Sequence, residues 1–247
     1  MTDLPLEGRV AVVTGASRGI GRATALGLAK AGAHVIAIAR TVGGLEELDD
    51  EIRAAGGAAT LVPLNLTDYA AIDRLGAAIF ERWGRLDILV GNAAVLGVVT
   101  PLGHMTPKVF DELMAINVTA NWRLIRSFDM LLRQSDAARV LFLTSDEAER
   151  CRPYWGPYAA SKAALQAMAR AYAAEMKATN VTVNLFDPGA IRSKLRTHGR
   201  PGEDPETVPA PETVVPEIVR LVSPGFTATG ETIRFAAEAG AAADPIA

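Results

Sequence analysis

The sequence predicts a doubly wound α/β fold, a parallel sheet with helices packed on both faces. Three observations point to it. Short apolar runs alternate with longer segments of helical spacing along most of the chain. Those runs are continuously apolar rather than alternating, as strands covered on both faces must be. No linker divides the chain, whose 247 residues and 49% apolar content suit one domain with a sizeable core.

Val10–Val13 reads as the first strand, and Gly19–Ala31 as a helix stopped by Gly32. His34–Ala39 is the second strand, and Leu45–Ala55 a helix ending at Gly56-Gly57. Ala59–Leu64 is the third strand. Asp68 then caps a helix running to Trp83, with Gly84 as its stop. Leu86–Val90, Val140–Leu143 and Val181–Phe186 are the fourth to sixth strands, and Ile233–Phe235 a seventh. Tyr158–Lys177 is an Ala-rich helix, and Asn117–Arg133 is helical too. The stretch from about 190 to 211, rich in Pro, Gly and charge, predicts a flap over the substrate. The tail 239–247 is expected to be disordered.

A formal net charge of −3 gives no basic footprint for nucleic acid and no polybasic membrane patch. One cysteine, Cys151, excludes an internal disulfide framework. Three histidines without a dense acidic cluster make a metal hydrolase a poor fit, and no metal is expected. The N-terminus lacks the basic and apolar regions of a signal peptide, and every apolar run is strand-sized. A cytoplasmic protein is the expectation.

The first strand runs into Thr14-Gly15-Ala16-Ser17-Arg18-Gly19-Ile20-Gly21 and then a helix. Glycines at 15, 19 and 21 permit a tight turn, a close approach to phosphate and close helix–sheet packing. The helix N-terminus offers free N–H groups to a pyrophosphate. The Lys-Ser/Thr ending of a nucleotide-hydrolysing loop is missing. The second strand ends Ala39-Arg40-Thr41, without the carboxylate that would hold an adenosine ribose and repel a 2′-phosphate. Arg40, with Arg18 beside it, is placed to meet such a phosphate, which favours NADP(H) over NAD(H). Asn65-Leu66-Thr67-Asp68 follows the third strand, where Asp68 can meet adenine or cap the next helix.

Tyr158 and Lys162 stand four apart, on one helical face. Only five lysines exist, and among four tyrosines only Tyr158 has one at this offset. A nearby ammonium favours phenolate and is expected to lower the Tyr158 pKa. That would fit the phenol for proton transfer near neutral pH.

Taken together, Thr14-Gly15-x-x-x-Gly19-x-Gly21, Asn92-Ala93-Ala94, Asn117, Ser145 and Tyr158-x-x-x-Lys162 resemble the short-chain dehydrogenase/reductase family, from about Leu6 to Phe235. The resemblance implies a single Rossmann-type domain with strand order 3-2-1-4-5-6-7. Tyr158 would be the general acid for carbonyl reduction and the base for alcohol oxidation. Lys162 would hold the nicotinamide ribose and tune Tyr158. Ser145 would hydrogen-bond the substrate oxygen, and Asn117 would hold a relay water. Gly15, Ser17, Arg18, Gly19, Ile20, Gly21, Arg40, Thr41, Asn65, Leu66, Asp68, Asn92, Ala93 and Ala94 would line the cofactor. So would Pro188, Gly189, Ile191 and Ser193, from a Pro-Gly segment resembling the one beside the nicotinamide. The family pairs its helices between subunits, so a homodimer or homotetramer is expected, acting on a small carbonyl or alcohol.

The chain departs from the family pattern at Ala94, where Gly is usual, so a Cβ there threatens crowding or strain. The acidic run Asp146-Glu147-Ala148-Glu149 is also unusual. It reads either as a solvated loop, the simpler reading, or as a device selecting a cationic or polyhydroxylated substrate. Trp155 and Tyr154 are candidates to line the pocket. His198 reads as a loop residue, and Cys151 needs no role. Two other functions compete. A non-catalytic dinucleotide-binding protein has no use for the four residues Asn117, Ser145, Tyr158 and Lys162. A serine hydrolase needs a G-x-S-x-G elbow, which Ser145 lacks.

Overall fold

The computed structural model describes residues 4–235. The predicted tail, 239–247, lies outside the described residues. Seven parallel strands form one sheet in the order β3-β2-β1-β4-β5-β6-β7. They are β1 (Val10–Thr14), β2 (His34–Ala39), β3 (Ala58–Pro63), β4 (Ile88–Gly91), β5 (Ala138–Leu143), β6 (Val181–Asp187) and β7 (Thr232–Arg234). Helices α1 (Gly19–Lys30), α2 (Val42–Ala54) and α3 (Tyr69–Trp83) follow the first three strands. After β4 come α4 (Pro107–Met114) and α5 (Ala120–Arg133). A short α6 (Glu147–Arg150) and the long α7 (Gly156–Glu175) join β5 to β6. Finally α8 (Lys194–Gly199) and α9 (Val215–Val222) lead to β7.

The continuously apolar strands feed two cores, one on each face. Val10, Val12, Ile36, Ile38, Leu89, Val140 and Phe142 point to one side, packing with Ile72 and Ile79 of α3, Leu124 and Phe128 of α5 and Leu165 of α7. Their neighbours Ala11, Val13, Val35, Ala37, Val90, Leu141 and Leu143 point to the other, meeting Leu28 of α1, Leu45 and Leu48 of α2 and Ile218 of α9. Successive side chains alternate faces, so a strand with both faces covered must be apolar at every position. Each fully buried Leu, Ile or Phe contributes about 1.5–3 kcal/mol. The two edge strands, β3 and β7, are half exposed along their lengths, and β3 ends at Pro63, where a residue without an N–H is tolerated.

Start and stop signals behave as their chemistry requires. Asp68 accepts a hydrogen bond from the Ala71 N–H (3.0 Å) to cap α3, and Gly84 ends it at φ +68°. Helix α2 begins at Val42, three residues before the expected Leu45, because Gly43 and Gly44 are accommodated in its first turn. Gly44 faces Ser17, where a Cβ would come within 3.0 Å.

One feature had no sequence signal. Between α4 and α5 the backbone widens into a π-turn, Ala115–Thr119, centred on the fully buried Asn117. Strand order reverses at β1, whose neighbours are β2 and β4, so crossovers leave to opposite faces and a crevice opens at the carboxyl ends.

Candidate active site

The cavity at these strand ends has a volume of about 1050 Å³. Its floor is the turn after β1. Gly15 and Gly19 take φ of +69° and +56°, a region that disfavours residues carrying a Cβ. Gly21 is needed for a different reason. A Cβ there would stand 2.3 Å from Gly15 O and 2.4 Å from Asn92 Nδ2.

Asn92 is what crowds it. Its Nδ2 donates to Thr14 O (2.8 Å), while the Asn92 and Ala93 N–H groups both donate to Thr14 Oγ1 (3.0 Å each). Thr14 and Asn92 thus clip the end of β1 to the end of β4. Thr14 is a buried positioning residue whose contacts lie across the sheet, so its motif alone gives it no role.

The N-terminus of α1 opens onto this cavity without a cap. Arg18 occupies the cap position but makes no side-chain capping bond, and the first turn carries no acid. By contrast α3 has Asp68 and α8 has Ser193, whose Oγ accepts from the Arg196 N–H (3.1 Å). Uncapped N–H groups at a helix start form a ready anion site. Gly15, Ser17, Arg18, Gly19, Ile20, Arg40, Thr41, Asn65, Leu66, Asn92, Ala93 and Ala94 all line the cavity. Both arginines are exposed there. Gly21 lies just behind the lining. Asp68 also stays outside it, committed to capping α3 and to an ion pair with Arg74 (3.6 Å). Ala94 takes no left-handed φ, since among the described non-glycine residues only Cys151 and Tyr154 do. Strain is therefore not what distinguishes it from the usual glycine.

At the other end, α7 presents Tyr158 and Lys162, both buried. Lys162 Nζ donates to Leu143 O (2.8 Å) and lies 5.7 Å from the Tyr158 ring centre. Ser145, just past β5, stands beside them. Pro188, Gly189, Ile191 and Ser193 complete this wall after β6.

The electrostatics correct one expectation. Burial, followed by the Asp187, Glu147 and Asp146 carboxylates, pushes the Tyr158 phenol up, and only a hydrogen bond with Ser145 pulls it down. The lowering expected from the lysine does not govern, because a phenolate here would be desolvated among carboxylates. The same burial pushes Lys162 down to about 8, with Asp187 opposing.

Asn117 is not a cavity residue. Its Oδ1 accepts from the Val95 N–H and its Nδ2 donates to Val95 O (2.9 Å each) and to Ser161 Oγ (3.0 Å). Ser161 Oγ in turn donates to Tyr158 O (2.8 Å). The Asn117 side chain is therefore fully engaged in tying the loop after β4 to the helix carrying Tyr158. Its signal, a Ser one residue before Lys162, was present but mute.

The acidic run is not a solvated loop. It folds as α6, and Glu147 is 3% exposed. Its Oε1 meets Arg152 Nη1 at 2.7 Å, and Asp146 Oδ2 meets Arg152 Nη2 at 2.9 Å and Arg150 Nε at 3.3 Å. Trp155 lines the cavity and meets the Tyr158 ring edge-on at 6.1 Å, while Tyr154 faces solvent. His198 belongs to α8 rather than to a loop. No described helix is long and apolar enough to cross a membrane.

Comparisons with known proteins agree with this architecture. Residues 9–204 match the short chain dehydrogenase family. The uncharacterised oxidoreductase YciK of Escherichia coli K12 is 33% identical over 214 residues, covering 85% of this chain and 84% of that protein. An Arabidopsis thaliana chloroplastic protein described as NADPH-dependent aldehyde reductase-like is 33% identical over 84% of this chain and 81% of its own length. Among solved structures, a Shigella flexneri protein described as a short chain dehydrogenase complexed with NADP superposes with a TM-score of 0.90 at 33% identity. That match covers 95% of this chain and 99% of the other. A short chain dehydrogenase from Salmonella enterica serovar Typhi gives 0.90 at 30% identity, over 95% and 98%. With sheet order, glycine turn and family match in agreement, the chain belongs to the short-chain dehydrogenase family of oxidoreductases.

Proposed function

We propose that the protein is an NADP(H)-dependent oxidoreductase interconverting a carbonyl and a secondary alcohol, with Tyr158 as its general acid and base. The observation that carries this reading is one continuous cavity, with bare α1 N–H groups at one end and Tyr158, Lys162 and Ser145 at the other. The residues fit a dinucleotide. Gly19 leaves open space, with nothing nearer than 3.9 Å to a Cβ built there, where backbone must approach phosphate. Arg18 and Arg40 stand where a 2′-phosphate would need cations, with no acid at the end of β2 to repel it. NADP in the Shigella neighbour and the NADPH dependence in the Arabidopsis relative's description support the same choice.

The bound nicotinamide supplies the hydride. The chain supplies everything else. Ser145 Oγ donates to the substrate oxygen and shares its developing charge. Tyr158, kept protonated by burial, gives its phenolic proton to that oxygen during reduction and must be deprotonated to act in reverse. Lys162, anchored through Leu143 O, holds the ribose and presents positive charge beside the phenol. Asn117 and Ser161 keep α7 in register with the loop after β4.

The test is absorbance of the reduced nicotinamide, followed with a panel of aldehydes and ketones. Turnover is expected with NADPH. Tyr158→Phe should lose roughly 10²–10⁴-fold in kcat, while binding NADPH as the parent does in a fluorescence titration. Retained turnover in that variant would remove Tyr158 from the mechanism.

A further inference from the structure

Next to Ser145 lies a feature that carbonyl reduction itself does not require. Glu147 lines the cavity, is 3% exposed, and its Oε2 is buried without a hydrogen-bond partner. A buried carboxylate oxygen left unpaired is costly and calls for an occupant. The partner of the other oxygen is held with unusual effort. Arg152 is bracketed by Cys151 at φ +48° and Tyr154 at φ +73°, the two described non-glycine residues in the left-handed region. Strain of this kind persists where a side chain must be aimed. The Glu147 N–H donates to Ser145 Oγ (3.3 Å), so the backbone that carries the carboxylate is tied to the residue that faces the reacting oxygen.

Acids and bases interleave here. Asp146 and Glu147 face Arg150 and Arg152, and Arg200 lines the same cavity. A cationic substrate has to compete with Arg152 for Glu147. An anionic one has to compete with Glu147 for Arg152, and also meets Asp187. A neutral hydroxyl donates to Oε2 and leaves the pair intact.

We propose that Glu147, held by Arg152, is the specificity-determining residue of this site, and that it selects neutral carbonyl compounds carrying a hydroxyl within one or two carbons of the reacting carbon. This rests on the oxidoreductase reading above. It replaces a choice between cations and polyols with one class, the hydroxy-carbonyls and the polyols they form.

The experiment compares matched substrates with NADPH: hydroxyacetone against acetone, 1-hydroxybutan-2-one against butanone, with pyruvate and aminoacetone as the anion and the cation. The parent should prefer each hydroxylated member by roughly 10–100-fold in kcat/KM, as a hydrogen bond to a charged group is worth. Glu147→Gln should shrink that ratio roughly tenfold and, by removing one of the two carboxylates paired with Arg152, raise relative activity on pyruvate. Glu147→Asp should recover part of the ratio. NADPH binding by fluorescence reports folding independently for each variant. A parent that does not discriminate, or that prefers pyruvate or aminoacetone, overturns the proposal. So does a folded Glu147→Gln protein with an unchanged ratio. If NADPH binds and no carbonyl is turned over, it is the functional reading that fails, and the specificity proposal goes with it.

Discussion

The two ends of the sheet treat buried charge in opposite ways. At the amino end, Asp87 is fully buried at the start of β4 and fully engaged. It accepts from the Val10 N–H (2.8 Å), Ser135 Oγ (2.7 Å), Arg9 (3.2 Å) and Arg85 (3.2 Å). At the carboxyl end, Glu147 keeps an orphaned oxygen, Lys162 is an ammonium forced down by burial, and the α1 N–H groups have no cap. Around Asp87 the one end joins β1, β4 and β5 with both carboxylate oxygens partnered. The other leaves unmet bonding capacity aimed at one cavity. Unmet capacity costs stability unless something binds, and sites built for ligands carry that cost.

The largest effect expected from breaking this contrast is at Asp87. Asp87→Ala strands the buried Val10 N–H and Ser135 Oγ and takes one partner each from Arg9, which keeps Asp136, and Arg85, which keeps Gly8 O; it should lower stability by about 2–4 kcal/mol. Denaturant melts would register the drop, while KM for substrate in the remaining folded enzyme stays as in the parent. Equal stability of the two proteins would mean that the cluster is not a clamp.

Arg40→Gln should weaken NADPH binding by roughly 10–100-fold and leave NADH nearly untouched, because one charged hydrogen bond to the 2′-phosphate is lost. Fluorescence titrations with both nucleotides separate this from general damage. Parallel losses for both would dissociate Arg40 from the phosphate.

The third effect is smaller and opposite in sign to that at Asp87. Lys162 titrates near 8 when folded, below its value in the unfolded chain. Its burial therefore costs stability at pH 7, and that cost fades as pH rises through about 8 towards 10. Lys162→Met removes the ammonium but strands the Leu143 carbonyl. The ligand-free variant should be more stable than the parent by about 1–2 kcal/mol at pH 7. The advantage should vanish by about pH 10. Thermal melts across this range check it, and a variant less stable at pH 7 would show that the buried charge is better accommodated than its burial implies.

The smallest change is a matter of pH alone. With Tyr158 held protonated, reduction should be nearly flat between about pH 6 and 7.5, while alcohol oxidation climbs with pH over the same span. Initial rates in both directions resolve the two slopes.

What the sequence determined alone follows from local rules. Continuous apolar runs, Asp68 as a cap, Gly84 as a stop and the glycines after β1 each act within a few residues, so the strands, most helices and the cofactor turn were legible. The four-residue offset between Tyr158 and Lys162 is likewise a property of one helix. Tertiary structure decided whatever depends on what a side chain meets across the sheet. It turned Asn117 away from the cavity towards Val95 and Ser161, and it committed Asp68 to its helix. It set the direction of the Tyr158 shift, because burial beside Asp187 and Glu147 outweighs a lysine one turn away. And it took Glu147 out of an apparent solvated loop into a buried ion pair with Arg152, which the half-buried Asp146 shares, while Glu149 stays exposed. The partner Arg152 is close in sequence, but only the left-handed turn of Cys151 and Tyr154 brings it inward. Charge on the page of a sequence has no depth; the same four letters are surface or substrate pocket according to the fold that surrounds them.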